Sequence, residues 1–264
     1  MTPVLIVRIA AAVWLAAISA TSAAQQRALP LAELRSGFDF LGADLKAMQR
    51  DDFANPGMLW VERGQKLWST PSGAANQSCA DCHGDARSSM KGMAVRYPLV
   101  DRTTGRLMTL EGRILQCRTD RQKAPPLAWE SQDFLSLSSY VAHQSLGLPI
   151  HVDIGGAARK YFEAGRELFY RRFGQMNLSC AQCHDDNWSR RLFASPVTQG
   201  HPNGYPGYRL EWQTMGSLER RLRACLSGIR ADMFPYGAPE HAELALYLAW
   251  RAEGLPLEVP GVRR

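Results

Sequence analysis

After its first two dozen residues, the 264-residue chain has no apolar run long enough to cross a membrane, no low-complexity tract and no large excess of one charge. The first absence excludes a chain that crosses the membrane repeatedly. The second leaves no disordered linker array, and the length fits two domains of ordinary size. Lys and Arg total 31 against 25 Asp and Glu, a formal charge of +6. That is too small an excess to read as a nucleic-acid-binding surface. Cysteine is scarce as well, six in all, so this is not a disulfide-dense scaffold.

What is present is two copies of Cys-x-x-Cys-His: Cys79, Cys82 and His83 in CADCH, and Cys180, Cys183 and His184 in CAQCH. Two thiols at i and i+3 can add to the two vinyl groups of a haem, and the imidazole that follows comes under the iron. The pattern therefore predicts two covalently bound c-type haems, with His83 and His184 as proximal ligands. A thioredoxin-like pair and a four-cysteine zinc site are the competing readings, and neither calls for a histidine directly after the second cysteine, twice. Four haem propionates would offset most of the positive charge.

The N-terminus indicates the compartment. Thr2 to Ala20 is mostly apolar with Arg8 as its one charge, and Ser22-Ala23-Ala24 before Gln25 has the form of a small-residue cleavage site. A cleavable signal over residues 1–24 is expected, in preference to an anchor, because polar chain follows with no stop-transfer pattern. Attachment of haem by this motif is extracytoplasmic, so the periplasm is the expected location and the mature chain should have no membrane span.

The chain also repeats itself. Gly64 in ERGQKLW and Gly165 in EAGRELF stand at the same offset as Cys79 and Cys180. Further on, Leu110-Glu111-x-Arg113-x-x-x-Cys117 matches Leu218-Glu219-x-Arg221-x-x-x-Cys225. Tyr140 and Leu148-Pro149 likewise match Tyr247 and Leu255-Pro256. The expectation is an all-α fold of two tandem cytochrome c-like haem domains, residues 25–150 and 151–264, with a linker at Leu146 to Ala158. Apolar stripes predict a first helix in each half, at Trp60, Gly64, Leu67 and Trp68 and at Tyr161, Phe162, Gly165, Leu168 and Phe169. Closing helices follow at Phe134, Leu137, Tyr140 and Val141 and at Leu244, Tyr247 and Leu248, each crossing its partner where the glycine permits close approach.

Two cysteines are left over, Cys117 and Cys225. A disulfide between them is the default in an oxidising compartment, and burial as small hydrophobes is a second reading. The repeat argues against the disulfide, since it puts each cysteine near its own haem. Met90, Met93 and Met108, and Met215 and Met233, are available as distal iron ligands, but no two of these share the repeat offset. The cysteines do, which favours thiolate as distal ligand at both haems over methionine or histidine. On an ideal helix Arg221 lies at the margin of the face that carries Cys225. Arg220 and Arg223 read as a solvated basic face, and Arg230 is undecided.

These motifs resemble the SoxA family, the dihaem subunits of thiosulfate-oxidising SoxAX cytochromes. The resemblance covers nearly the whole mature chain. It implies that Cys225 is the catalytic cysteine, carried as a persulfide on the second haem iron, and that Arg221 binds substrate. It implies Cys117 as distal ligand of the first haem. The implied activity is that of an L-cysteine S-thiosulfotransferase, the oxidative conjugation of thiosulfate to a cysteine of a SoxYZ-like carrier, with a SoxX-like monohaem subunit as electron acceptor. The alternatives are a carrier-independent thiosulfate dehydrogenase making tetrathionate and a non-catalytic dihaem electron-transfer cytochrome.

Overall fold

The computed structural model describes residues 29–192 and 195–264. The expected signal segment lies outside the described residues. In chain order the helices are α1 (Ala43–Arg50), α2 (Met58–Ser69), α3 (Cys79–His83), α4 (Ala86–Ser89), α5 (Leu110–Asp120) and α6 (Gln132–His143), then α7 (Arg159–Tyr170), α8 (Cys180–His184), α9 (Leu218–Gly228) and α10 (Pro239–Arg251). Among the described residues seven short strands accompany them: β1 (Leu99–Val100), β2 (Leu107–Met108), β3 (Arg191–Leu192), β4 (Ser195–Pro196), β5 (Gly207–Arg209), β6 (Thr214–Gly216) and β7 (Gly261–Arg263). The fold is mainly helical and cytochrome c-like, and no helix of the described residues is long and apolar enough to cross a membrane.

Each half is organised by one crossing of two helices. α2 packs on α6 at Gly64, where an added Cβ would lie 2.1 Å from the carbonyl oxygen of Ser136. α7 packs on α10 at Gly165, where it would lie 2.0 Å from that of Glu243. Any larger residue would push the backbones apart at either point. The expected apolar stripes face these crossings: Trp68, Phe162, Leu168 and Phe169 are buried on the first helices, and Phe134, Leu137, Tyr140, Leu244, Tyr247 and Leu248 on the closing ones.

The strands leave no mark in the sequence pattern because each is two or three residues long, too short to show a period. β1 and β2 pair Leu99 with Met108 and Val100 with Leu107. β5 and β6 pair Gly207 with Gly216 and Tyr208 with Met215, the same register 108 residues later. Each hairpin is entered through a cis Tyr–Pro bond, at Tyr97-Pro98 and Tyr205-Pro206. β7 adds to β5 in parallel and completes a three-stranded sheet.

Leu146 to Ala158 is not a loose tether. Ile150 and Val152 are buried in the same core cluster as Phe162, Phe169 and Tyr247. Pro149 and Pro256 face each other in an antiparallel bridge, flanked by hydrogen bonds from Gly147 N to Leu257 O and from Leu257 N to Leu148 O. The segment closing the first half thus pairs with the segment closing the second, and their apolar residues share one core. Residues before α2 also reach across: Asn55 Nδ2 donates to Pro260 O, and Val262 N donates to Gln49 Oε1.

Candidate functional site

Each Cys-x-x-Cys-His motif is a single helical turn, which puts its two thiols and its imidazole on one side. Capping boxes start both turns. Ser78 accepts from Asp81 N while Asp81 accepts from Ser78 N, and Ser179 and Gln182 do the same. Among the described residues no group of three or more His, Cys, Asp or Glu side chains is arranged to hold a bare metal ion.

The loop before each motif is tied to the end of the helix that carries the spare cysteine. Ala74 N donates to Lys123 O and Ala75 N to Gln122 O, just past α5. Gln175 N donates to Arg230 O and Met176 N to Ile229 O, just past α9. Gly73 and Gly174 turn these loops at φ +67 and +66, with backbone within 2.1 and 2.3 Å of where a Cβ would sit. Those ties hold Cys117 opposite α3 and Cys225 opposite α8. No disulfide joins any of the six cysteines, and Cys117 and Cys225 are not paired.

In the second half, Cys225 and His184 lie within hydrogen-bonding reach of each other. Nδ1 of His184 donates to the carbonyl of Thr198 at 2.6 Å, which leaves Nε2 as the nitrogen able to take a metal. Gly200, at φ +77, backs this ring so closely that a Cβ would be 2.9 Å from the imidazole Cγ. Burial alone would push the Cys225 thiol up. Arg221 first, then the hydrogen bond and charge of His184, then Arg209 more than offset it, and the thiol comes down to about 7. Arg221 makes no carboxylate ion pair among the described residues, and the charge of Cys225 is the main influence holding its proton.

In the first half, Cys79, Cys82, His83, Cys117, Met90 and Arg113 line a cavity of about 1120 Å³. That space, walled by thiols, an imidazole and apolar side chains, fits a porphyrin. Trp68 packs on the His83 ring at 5.8 Å and donates from Nε1 to Gly84 O. Cys117 differs from its counterpart: burial raises its thiol above the ordinary value, and Arg113 and Arg121 oppose this only in part. The arginine beside Cys117 is itself engaged. The Arg113 guanidinium is bound to the buried carboxylate of Asp101, and it also donates to Gln116. Asp101, held by Arg113 first and then by the Thr104 and Thr103 amides, is lowered to about 2.

The hairpin register makes Arg209 the counterpart of Asp101. Arg209 is buried, pairs with Glu211 at 2.7 Å and donates to the Tyr205 hydroxyl at 3.3 Å. Tyr205 and Glu211 also act on Arg221, so both arginines belong to one charged group beside Cys225. Sequence reading missed Arg209, although the repeat offset carried a few residues back from Leu218 reaches it.

The remaining candidates fall elsewhere. Met90 and Met93 line the first cavity, but Met215 is fully buried against Phe134, Leu135 and Tyr208, and Met233 is exposed. Arg220 and Arg223 are not a solvated face. Arg220 stacks over Trp212 at 4.3 Å, and Arg223 stacks over Tyr236 at 4.4 Å and donates to Phe234 O, because aromatic rings from the flanking loops cover that side of α9. Arg230 is exposed past the end of α9. Arg251 is buried and pairs with Asp185, the residue after His184, at 2.6 Å.

Comparison with known proteins gives a consistent result. Residues 63–150 match the family model described as SoxA/TsdA, cytochrome c domain. The chain is 40% identical over 245 residues to the L-cysteine S-thiosulfotransferase subunit SoxA of Pseudaminobacter salicylatoxidans, covering 92% of this chain and 86% of that one. It is 38% identical to the same subunit of Rhodovulum sulfidophilum, covering 88% and 80%. Among solved structures it superposes on SoxXA from P. pantotrophus with a TM-score of 0.85 and 36% identity, over 88% of this chain and 87% of that one.

Proposed function

This chain belongs to the SoxA family, and on that footing we propose that it is a dihaem L-cysteine S-thiosulfotransferase subunit that joins thiosulfate to a cysteine of a SoxYZ-like carrier in the periplasm. The observation that carries the reading is Cys225 facing His184 with Arg221 one turn away. The matching hairpins, glycine crossings and motif loops support two tandem cytochrome c-like domains, residues 25–150 and 151–264. One haem would be held by Cys79, Cys82, His83 and Cys117, and the second by Cys180, Cys183, His184 and Cys225.

The reaction forms one S–S bond, between the carrier sulfur and the outer sulfur of thiosulfate. It breaks the carrier S–H bond and releases one proton and two electrons. Bound haem supplies the electron acceptor, and a SoxX-like subunit takes the electrons onward. The chain's own groups handle the sulfur. The Arg221 fork offers the thiosulfate dianion paired, charge-assisted hydrogen bonds, and it keeps its charge at any working pH. Arg221 first, and Arg209 after it, favour the thiolate, nucleophilic form of Cys225. Thr198 and Gly200 fix the imidazole so that only Nε2 points inward. The outer sulfur, guided by Arg221, is thereby presented at Cys225, where the carrier cysteine can meet it.

Mass spectrometry of the isolated haem-bearing protein tests this. One extra sulfur on Cys225, removed by cyanide, is the expected result. Cys225 in a disulfide with Cys117 would overturn it.

A further inference from the structure

The cysteine-bearing helices are built alike, with an arginine one turn before the thiol in each, yet one arginine is occupied and the other open. Arg113 and Asp101 both line the first cavity beside Cys117, and the Asp101 side chain is only 7% exposed. It stands in the hairpin position that Arg209 fills in the other half. One Asp101 oxygen takes Arg113 Nη2 and Gln116 takes Nη1, so both ends of the fork that a small oxyanion would use are already filled. We propose that Asp101 is a built-in anion that closes the first site, occupying Arg113 so that a sulfur oxyanion such as thiosulfate is bound beside Cys225 alone.

Arg209 does the reverse in the second half. With an arginine where Asp101 is negative, and Glu211 paired to that arginine, no carboxylate forms an ion pair with Arg221 among the described residues. The inference rests on the reading of Arg221 as the substrate arginine. It makes the difference between the two sites a matter of one charge on a hairpin rather than of the haems.

Asp101→Asn is the informative change. One oxygen of Asp101 accepts from Thr103 N, Thr104 N and the Thr104 hydroxyl, and an asparagine oxygen can keep those bonds while its amide nitrogen cannot bind Arg113. Asp101→Ser is the second route should the asparagine variant lose its haem. Thiosulfate is titrated into the holoprotein by calorimetry, with the absorption of both haems followed. The wild type should bind one equivalent, lost in Arg221→Gln. Asp101→Asn should bind two, the second perturbing the first haem, and Asp101→Asn with Arg113→Gln should return to one. A folded, fully haem-loaded Asp101 variant that still binds one equivalent overturns the inference, as does a wild type that already binds two. A wild type that binds none overturns the reading of Arg221 instead.

Discussion

Asp101 and Arg209 occupy the same position in two hairpins of identical register and carry opposite charges. The carboxylate takes the guanidinium of Arg113, while the arginine stands with Arg221 beside a sulfur it helps to ionise. Two similar haem-motif units thus differ in the chemistry their spare cysteines can do. Cys117 is raised by burial and fits a plain ligand, whereas Cys225 is held at about 7 and fits a nucleophile.

Arg221→Lys should keep the charge near Cys225 but lose the planar fork. The lost charge-assisted hydrogen bond is worth about 1.5–3 kcal/mol, or roughly a 10- to 100-fold fall in kcat/KM for thiosulfate. Steady-state kinetics with carrier, alongside haem spectra that change little, would check this. An unaltered kcat/KM would remove Arg221 from substrate binding.

Glu219 gives a pH dependence with a definite sign. It is buried next to Glu111 and Glu130, takes a hydrogen bond from Gly237 N, has His241 at 4.0 Å, and is raised to about 8 despite Arg223. The folded state therefore holds this proton where the unfolded chain has released it. The stabilisation is complete below about 4.5 and is lost as pH rises through about 8. Glu219→Gln should flatten the fall in unfolding temperature across that window and be the more stable protein at pH 8. Unfolding temperatures measured from pH 5 to 9 would show it, and parallel curves would contradict it.

Gly165→Ala should be costly although it adds one methyl. The new Cβ would meet the Glu243 carbonyl at 2.0 Å, and backbone cannot move aside as a flexible side chain can. A loss of about 3 kcal/mol is expected, the upper end for overpacking, which lowers the unfolding temperature by roughly 6–12 °C. Calorimetry of the holoprotein checks this. A shift below about 2 °C would mean that the helices slide apart freely.

The haem motifs, the helix crossings at Gly64 and Gly165 and the spare cysteines opposite the motifs could be read from the sequence because each is a local spacing or a repeated one. The pairing of Pro149 with Pro256 could not, since it depends on how the halves meet, and a Pro- and Gly-bearing stretch reads as a linker whether or not it is packed. Arg220 and Arg223 misled for a related reason. Their helix face is polar in composition, but Trp212 and Tyr236 come from loops whose path no periodicity predicts. Arg209 and Asp101 were within reach of the repeat offset, but their meaning depends on which arginine each one faces.

The central claim is that Cys225, and not its counterpart Cys117, is the reacting sulfur. The most direct test is conjugation of thiosulfate to the carrier by Cys225→Ala and Cys117→Ala variants, each shown by mass to retain both covalent haems. Cys225→Ala should show no detectable conjugation, while Cys117→Ala should show an altered first-haem spectrum and measurable turnover. Turnover by Cys225→Ala, or complete loss in a well-folded Cys117→Ala, would contradict it.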